Sequence, residues 1–290
     1  MDVLSDVVAE LRIGAPHSSR TERRAPWDDR FPPTAAVGFH LVLRGGCRLT
    51  AAGQPPLRLG AGDVVLLPRG AAHSIGDHTV GAPTVLLCGA YRFDRSRRHP
   101  LLTELPEVLH LAAGPRRPAA LDTALDLLTR ELDTDPDSGA VGPLLEILLL
   151  FMLRAWYDGR DRDTGWGAAL RDPDLGTALR AIHRDPAHPW TVQSLGDRAH
   201  MSRSSFAQRF TETLGVAPQT YLTRWRMTVA ARRLRDTDDT LRVIAESVGY
   251  TSEYAFAKAF KREFGVAPGR YRHTATAAAP GYLATGSTAE

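Results

Sequence analysis

Only two cysteines, Cys47 and Cys88, occur in 290 residues, too few for a disulfide framework. No run of about 18 apolar residues is present, which leaves no membrane-spanning helix and no membrane partner to expect. The longest greasy stretch, Leu144 to Leu153, is broken by Glu146 and is too short to cross a bilayer. A basic leader is missing as well. Met1 to Leu11 carries Asp2, Asp6 and Glu10, whereas a secretory signal starts basic and continues apolar. These absences point to a cytoplasmic chain. What remains is ordinary globular composition, 43% hydrophobic and 24% charged with 25 Gly and 20 Pro, at a length that suits two domains better than one.

The net charge of +3 hides an asymmetry. Residues 175–273 carry 16 Lys+Arg against 9 Asp+Glu, a net of +7, while residues 1–174 carry 20 against 23, a net of −3. An acidic front joined to a basic back fits a sensor fused to a nucleic-acid binder. A solvated helical surface can carry the same charge, so charge alone leaves both readings open.

A repeat decides between them. Shifted by 50 residues, Phe206, Ala207 and Phe210 fall on Phe256, Ala257 and Phe260; Gly215-Val216-Ala217-Pro218 falls on Gly265-Val266-Ala267-Pro268; Ser202 falls on Ser252 and Tyr221 on Tyr271. Two copies make a duplicated module rather than a solenoid. Each copy reads as helix, tight turn, helix. In the first, Thr191 caps a helix through Val192, Leu195 and Ala199. His200-Met201 turns, and Ser202 caps a helix whose buried stripe is Phe206, Phe210 and Leu214. Gly215 closes that helix in the left-handed conformation. In the second, Thr240 opens a helix through Val243, Ile244 and Val248. Gly249-Tyr250 turns, and Ser252 or Thr251 opens the helix carrying Phe256, Phe260 and Phe264. Tyr221 to Arg235 joins the copies as one long helix.

Two such units on a rigid connector match duplex DNA, whose major groove faces one side again after about 34–36 Å. The exposed faces of the second helices carry Arg203, Ser204, Ser205, Gln208 and Arg209, and Glu253, Tyr254, Lys258, Lys261 and Arg262. Arg, Lys and Gln are side chains that reach base edges and phosphates.

On Ile244-Ala245, Val248-Gly249-Tyr250, Ser252, Phe256, Phe260-Lys261, Phe264-Gly265, Pro268 and Tyr271-Arg272, the stretch from Leu175 to Arg272 closely resembles the DNA-binding domain of the AraC/XylS family of transcription regulators. The resemblance implies base readout by Ser204, Ala207 and Gln208 from the first module and by Tyr254, Ala257 and Lys258 from the second. Ala207 offers only a thymine-methyl contact. The first copy is therefore expected to read fewer bases, with Arg203 and Arg209 left for phosphates or other base contacts.

Residues 35–92 alternate like strands. Val37, Phe39, Leu41 and Leu43 face one side, His40 and Val42 the other; 64–67 and 84–87 are further strands, and Gly45-Gly46 and Gly53-Gln54 are turns. Many short strands with Gly/Pro turns predict a small antiparallel barrel or jelly roll. Gly62, Pro68, Gly70 and His73 have the spacing of the second motif of cupins, a resemblance that implies a histidine projecting into the barrel mouth. The first motif of enzymatic cupins, two His and a Glu ahead of a Gly turn, is missing: only His40 stands there. Three readings of the barrel stay open. His40, His73 and Cys88 form a site for zinc or another soft transition metal; or Cys88 or Cys47 acts as a redox thiol, which requires an exposed thiolate of low pKa; or the histidines are hydrogen-bonded lining and Cys88 is ordinary core.

Two amphipathic helices follow, Ala119 to Leu132 and Val141 to Tyr157, and the resemblance implies a dimer contact through such a pair. Packing within one chain is the alternative. Asp158 to Asp172 reads as a polar linker and Ala275 to Glu290 as a disordered tail.

The expected protein is thus α+β with two domains. A cupin-like β-barrel sensor spans residues 1–113 and a helical hairpin 114–160. A linker at 161–172 leads to an all-α double helix-turn-helix domain at 173–274 and a tail at 275–290. Its expected function is sequence-specific regulation of transcription. The expected partners are an operator, RNA polymerase, a small-molecule or stress effector, and a second copy of the chain. The alternatives are a metal-dependent cupin enzyme fused to a DNA-binding domain, and an architectural binder with little sequence preference.

Overall fold

A computed structural model describes residues 2–77, 81–94, 99–159 and 164–276. They divide into two compact units, one built from residues 12–94 and 101–159, the other from residues 2–11, 99–100 and 164–276. In chain order, helix α1 (Val3–Leu11) precedes eight strands: β1 (His17–Arg23), β2 (Trp27–Phe31), β3 (Val37–Arg44), β4 (Gly46–Ala51), β5 (Leu57–Gly60), β6 (Val64–Leu67), β7 (His73–Asp77) and β8 (Thr84–Tyr91). A single turn, α2 (Pro100–Thr103), strand β9 (Leu109–Leu111) and a helical pair, α3 (Ala119–Thr134) and α4 (Val141–Asp158), follow.

The strands form two antiparallel sheets, ordered β1-β8-β3-β6-β9 and β2-β7-β4-β5. Between them lies a core that includes Trp27, Phe31, Val42, Leu49, Val65, Leu67, Ile75 and Leu86. The four-stranded sheet has one wet face, so β4 alternates: Cys47, Leu49 and Ala51 point in, Arg48 and Thr50 point out. In the five-stranded sheet β8 is buried along its whole length and β3 from Val37 to Val42. This sheet is covered on both sides. Phe39 and Tyr91 pack together on the side away from the other sheet, with ring centroids 5.1 Å apart. There the Tyr91 hydroxyl donates to the Leu145 carbonyl of α4 at 2.8 Å. The stripes Leu121, Leu125, Leu128, Leu132 and Leu144, Leu145, Leu148, Leu149, Met152 are all buried within the chain, so packing inside one chain accounts for these faces of the two helices.

Strands β1, β2 and β9 lie outside the span that alternates in sequence. β1 reads His-Ser-Ser-Arg-Thr-Glu-Arg and is an edge strand. Its seven residues pair with β8 through backbone bonds, which leave no hydrophobic signature.

The second unit contains α1 and α5 (Trp166–Arg171), α6 (Pro173–Arg184), α7 (Val192–Arg198), α8 (Arg203–Leu214), α9 (Pro218–Asp236), α10 (Leu241–Ser247), α11 (Glu253–Phe264) and α12 (Pro268–Thr276). Three boundaries differ from the sequence expectation. Residues 3–11 belong to this unit rather than to the β unit: α1 buries Val3, Leu4, Val7, Val8 and Leu11 and packs against α6 and α9. Of the expected linker, residues 161–163 lie outside the described residues, while 166–171 form α5 with Trp166 and Ala169 buried. Their i, i+3 spacing was hidden among alternating Asp and Arg. Of the expected tail, α12 takes residues to Thr276, and residues 277–290 lie outside the described residues. No described helix is long and apolar enough to cross a membrane.

Candidate functional site

The two helical modules are assembled by the same local devices. Thr191 caps α7 and Thr240 caps α10, each accepting from a backbone N–H three residues on. Ser202 Oγ accepts from Ser205 N at the start of α8, and Ser252 Oγ accepts from Ala255 N at the start of α11. These caps satisfy backbone donors that have no partner inside the helix. Gly215 and Gly265 close α8 and α11 with φ of 68° and 77°, a conformation that β-carbon-bearing residues resist. The first helices correspond at an offset of 49 residues and the second at 50, so the second turn holds one extra residue, Thr251. Equivalent turn bonds close both corners, Met201 N to Gly196 O and Tyr250 N to Ala245 O, each 2.9 Å. The left-handed residue of the first turn is His200, at φ 53°, and that of the second is Gly249. A β-carbon at 249 would lie 2.6 Å from the Ala187 carbonyl oxygen.

Helix α9 runs through both modules, packing against α6 and α8 as well as α10, α11 and α12. Phe206 and Phe210 are fully buried in one module, Phe256 and Phe260 in the other, so the outer faces of α8 and α11 are fixed relative to those cores. Arg203, Ser204, Gln208 and Arg209 are exposed on α8 and Ala207 is half-buried; Glu253, Tyr254, Lys258, Lys261 and Arg262 are exposed on α11 and Ala257 is half-buried. Tyr254 keeps 79% of its surface in solvent, unusual for a large ring. The only lysines of the chain, Lys258 and Lys261, both stand on α11. Some of these groups are engaged by neighbours. Gln208 donates to Glu212 at 2.9 Å, Arg262 lies 3.8 Å from Glu263, and Arg209 forms an ion pair with Asp172 at 2.6 Å. Asp172 also caps α6, accepting from Asp174 N and Leu175 N. Its place in the sequence, directly before Pro173, is a helix-start signal that the linker reading passed over.

In the β unit the turn after β6 carries Pro68 and Gly70, the latter with φ 60°, and delivers His73 into the inter-sheet core with 7% of its surface exposed. His40 and Cys88 are direct cross-strand partners on β3 and β8. The three side chains form a line. His73 Nδ1 meets the Ala71 carbonyl at 2.8 Å, His73 Nε2 meets His40 Nε2 at 2.8 Å, and His40 Nδ1 meets Cys88 Sγ at 3.0 Å. A carbonyl only accepts, so His73 carries its proton on Nδ1 and accepts at Nε2. His40 then donates from Nε2 and accepts at Nδ1 from the Cys88 thiol. Every bond is satisfied with both rings neutral. Burial pushes the His40 pKa well below its ordinary value, helped by His73, and burial lowers that of His73. Phe31 completes the cluster, stacked on His73 at 4.7 Å and edge-on to His40 at 4.8 Å. The sequence reading missed it because an apolar ring on a short strand carries no chemical label.

This geometry does not fit the soft metal site. Cys88 and His73 address opposite nitrogens of the His40 ring, so the three donors do not converge on one point. Among the described residues no group of three or more His, Cys, Asp and Glu side chains is placed to hold a metal ion. Nor does it supply the exposed, low-pKa thiolate that the redox reading requires. Cys47 and Cys88 are both buried, and burial pushes each thiol up to about 12.

The comparisons with known proteins agree with this two-part construction. Residues 2–158 match the family model described as Cupin, and residues 195–274 match one described as Helix-turn-helix domain. A putative AraC-like transcription regulator of Streptomyces lividans is 36% identical over 94% of this chain and 98% of its own length. A second, from Streptomyces antibioticus, is 35% identical over 94% and 98%. The RCS-specific HTH-type transcriptional activator RclR of Escherichia coli (strain K12) is 35% identical over 97% of this chain and 100% of its own. With a cupin unit in front and duplicated helix-turn-helix modules behind, the chain belongs to the family of AraC-like transcription regulators.

Proposed function

We propose that the protein is a site-specific operator binder that lays α8 and α11 into successive major grooves and answers to a small-molecule or stress signal received in the β unit. The observation that carries the DNA half is the single buried connector α9, which presents two equally capped helices with polar outer faces. In this reading Ser204, Ala207 and Gln208 read bases from the first groove and Tyr254, Ala257 and Lys258 from the second. Arg203 and Arg262 flank them at the phosphates, Glu253 offers its carboxylate as an acceptor to a cytosine amino group, and Arg209 is held in place by Asp172. The His40–His73–Cys88 line is the natural point of entry for the signal, because any group that enters it breaks a fully satisfied buried network. Two chains join through the outer face of the helical pair, where Leu127 and Ile147 remain 51% and 43% exposed, and the bound dimer contacts RNA polymerase in the cytoplasm.

A footprint titration of the full-length chain with competitor DNA tests the operator reading. Discrete protected sites that survive excess competitor support it, whereas protection that fades evenly along the fragment makes the protein an architectural binder. Operator affinity that is the same in wild type, His73→Ala and Cys88→Ser, with and without mild oxidant, removes the inter-sheet cluster from the signalling path.

A further inference from the structure

The wet face of the four-stranded sheet carries an arrangement that neither operator binding nor the inter-sheet cluster uses. Across neighbouring strands Arg58 of β5 stands directly opposite Arg48 of β4, which stands opposite Gly76 of β7. Side chains in direct cross-strand register have their Cβ atoms about 5 Å apart, and like charges so placed repel. Sheets place opposite charges or neutral pairs at such positions. Here neither guanidinium has an acidic partner among the described residues: Asp28, next along the same row, is taken by Arg30 at 3.2 Å. Asp77, the last residue of β7, lines the same cleft but forms no ion pair with Arg48 or Arg58.

Both arginines line a cleft of about 440 Å³ at the end of the sheet, together with Gly45, Gly46, Gly76, Gly81, Cys47, Leu59, Asp77 and Ala82. That volume lies in the range of small-molecule sites. Four of its ten lining residues are glycines; at Gly45, Gly46 and Gly76 an added Cβ would meet neighbouring backbone at 3.0 Å or less, so they let the chain segments around the cleft approach closely. Two unpaired guanidinium forks over such a space match a planar or tetrahedral anion, which they bind through paired, charge-assisted hydrogen bonds.

We propose that this cleft is a binding site for a small molecule carrying a phosphate or a carboxylate, clamped between Arg48 and Arg58. The anion removes the repulsion between the two side chains and orders both at once.

The test resolves individual arginines, because the DNA-reading helices also attract anions. Full-length protein is treated with phenylglyoxal in chloride, inorganic phosphate or succinate at matched ionic strength, and each modified arginine is followed by peptide mass spectrometry. With the bound anion at about ten times its Kd, modification of Arg48 and Arg58 slows about tenfold, while Arg130, exposed on α3, keeps its chloride rate. Protection by phosphate alone or by succinate alone identifies the group the ligand carries. In Arg58→Gln the protection of Arg48 disappears with a thermal midpoint no lower than that of wild type, since the substitution also relieves the repulsion. Equal rates at Arg48 and Arg58 in all three salts, equal slowing at Arg130, or Arg48 still protected in Arg58→Gln overturns the site. No DNA is present in this experiment, so its failure leaves the operator reading standing.

Discussion

His40 and His73 face each other nitrogen to nitrogen, Nε2 to Nε2 at 2.8 Å, in a core that leaves His40 no exposed surface. Such a pair holds only while at least one ring is neutral and offers a lone pair. Both pKa values lie below the ordinary histidine value of 6.5, chiefly through burial. Below about pH 6.5 the unfolded chain therefore binds protons that the folded chain refuses, and stability falls with pH. The stabilisation is complete above that value and is lost as pH drops toward the folded pKa values. Thermal unfolding of the β unit is expected to move to lower temperature as pH falls below about 6.5. In His73→Gln, which keeps hydrogen-bonding groups but has one titrating ring fewer, the slope is shallower. An identical slope in the variant assigns the acid sensitivity elsewhere.

With both thiols raised to about 12 by burial, the native protein is expected to resist iodoacetamide at neutral pH, because the thiolate is the reacting species. Intact-mass measurement should show no adduct on the folded chain and two after denaturation. Rapid labelling of Cys88 in the native state contradicts the buried, neutral thiol.

On α11, Lys258→Ala is expected to weaken operator binding by about 1–3 kcal/mol and to relax preference at one base pair. On α8, Arg203→Ala weakens binding to all sequences alike and flattens the salt dependence by about one unit. Quantitative footprinting across a salt series separates the two. Wild-type affinity in both variants at matched salt refutes this placement of the readout faces.

Asp172 serves two masters, capping α6 and holding Arg209. Asp172→Ala is expected to destabilise the helical unit by about 0.5–2 kcal/mol through the lost cap. Asp172→Ser retains a capping oxygen but frees the guanidinium, so it keeps the melting temperature and steepens the salt dependence of DNA binding. Matched unfolding and binding curves for the two variants check this division.

Helix α1 buries five apolar side chains in the helical unit. It also brings Glu10 to Arg232 at 3.1 Å and Asp6 to within 3.5 Å of the buried His183. Each such side chain is worth about 1.5–3 kcal/mol when fully buried, an upper bound for a chain that is not fully extended when unfolded. Residues 164–276 made alone should therefore melt well below the same segment with residues 2–12 joined to it by a Gly/Ser linker. Equal midpoints by calorimetry would mean that α1 contributes nothing to this unit.

The double helix-turn-helix was legible because its signals are local and stated twice. Caps at Thr191, Ser202, Thr240 and Ser252, left-handed closures at Gly215 and Gly265, and phenylalanines spaced four apart all act within a turn or two of chain. Duplication then removed the ambiguity of any single copy. The inward aim of His73 was legible from the resemblance of Gly62, Pro68, Gly70 and His73 to the cupin motif, whose turn is also a local signal. Strand β1 was not, because an edge strand of Ser, Thr, Arg and Glu is held by backbone bonds to β8 rather than by an apolar pattern.

The sequence by itself determined the two-unit plan, the outward-facing residues of α8 and α11 and the identity of the residues that meet between the sheets. What those residues do there was decided by tertiary structure: whether His40, His73 and Cys88 converge on a point or string out in a line depends on the register of β3 against β8 and on where the turn after β6 sets His73. The docking of α1, the pairing of Arg209 with Asp172 and the unpaired Arg48–Arg58 couple are likewise set by chain segments far apart in sequence or by strand register. Residue type specifies which bonds a group can make, whereas distance and direction between groups on different elements arise only when the whole core packs at once.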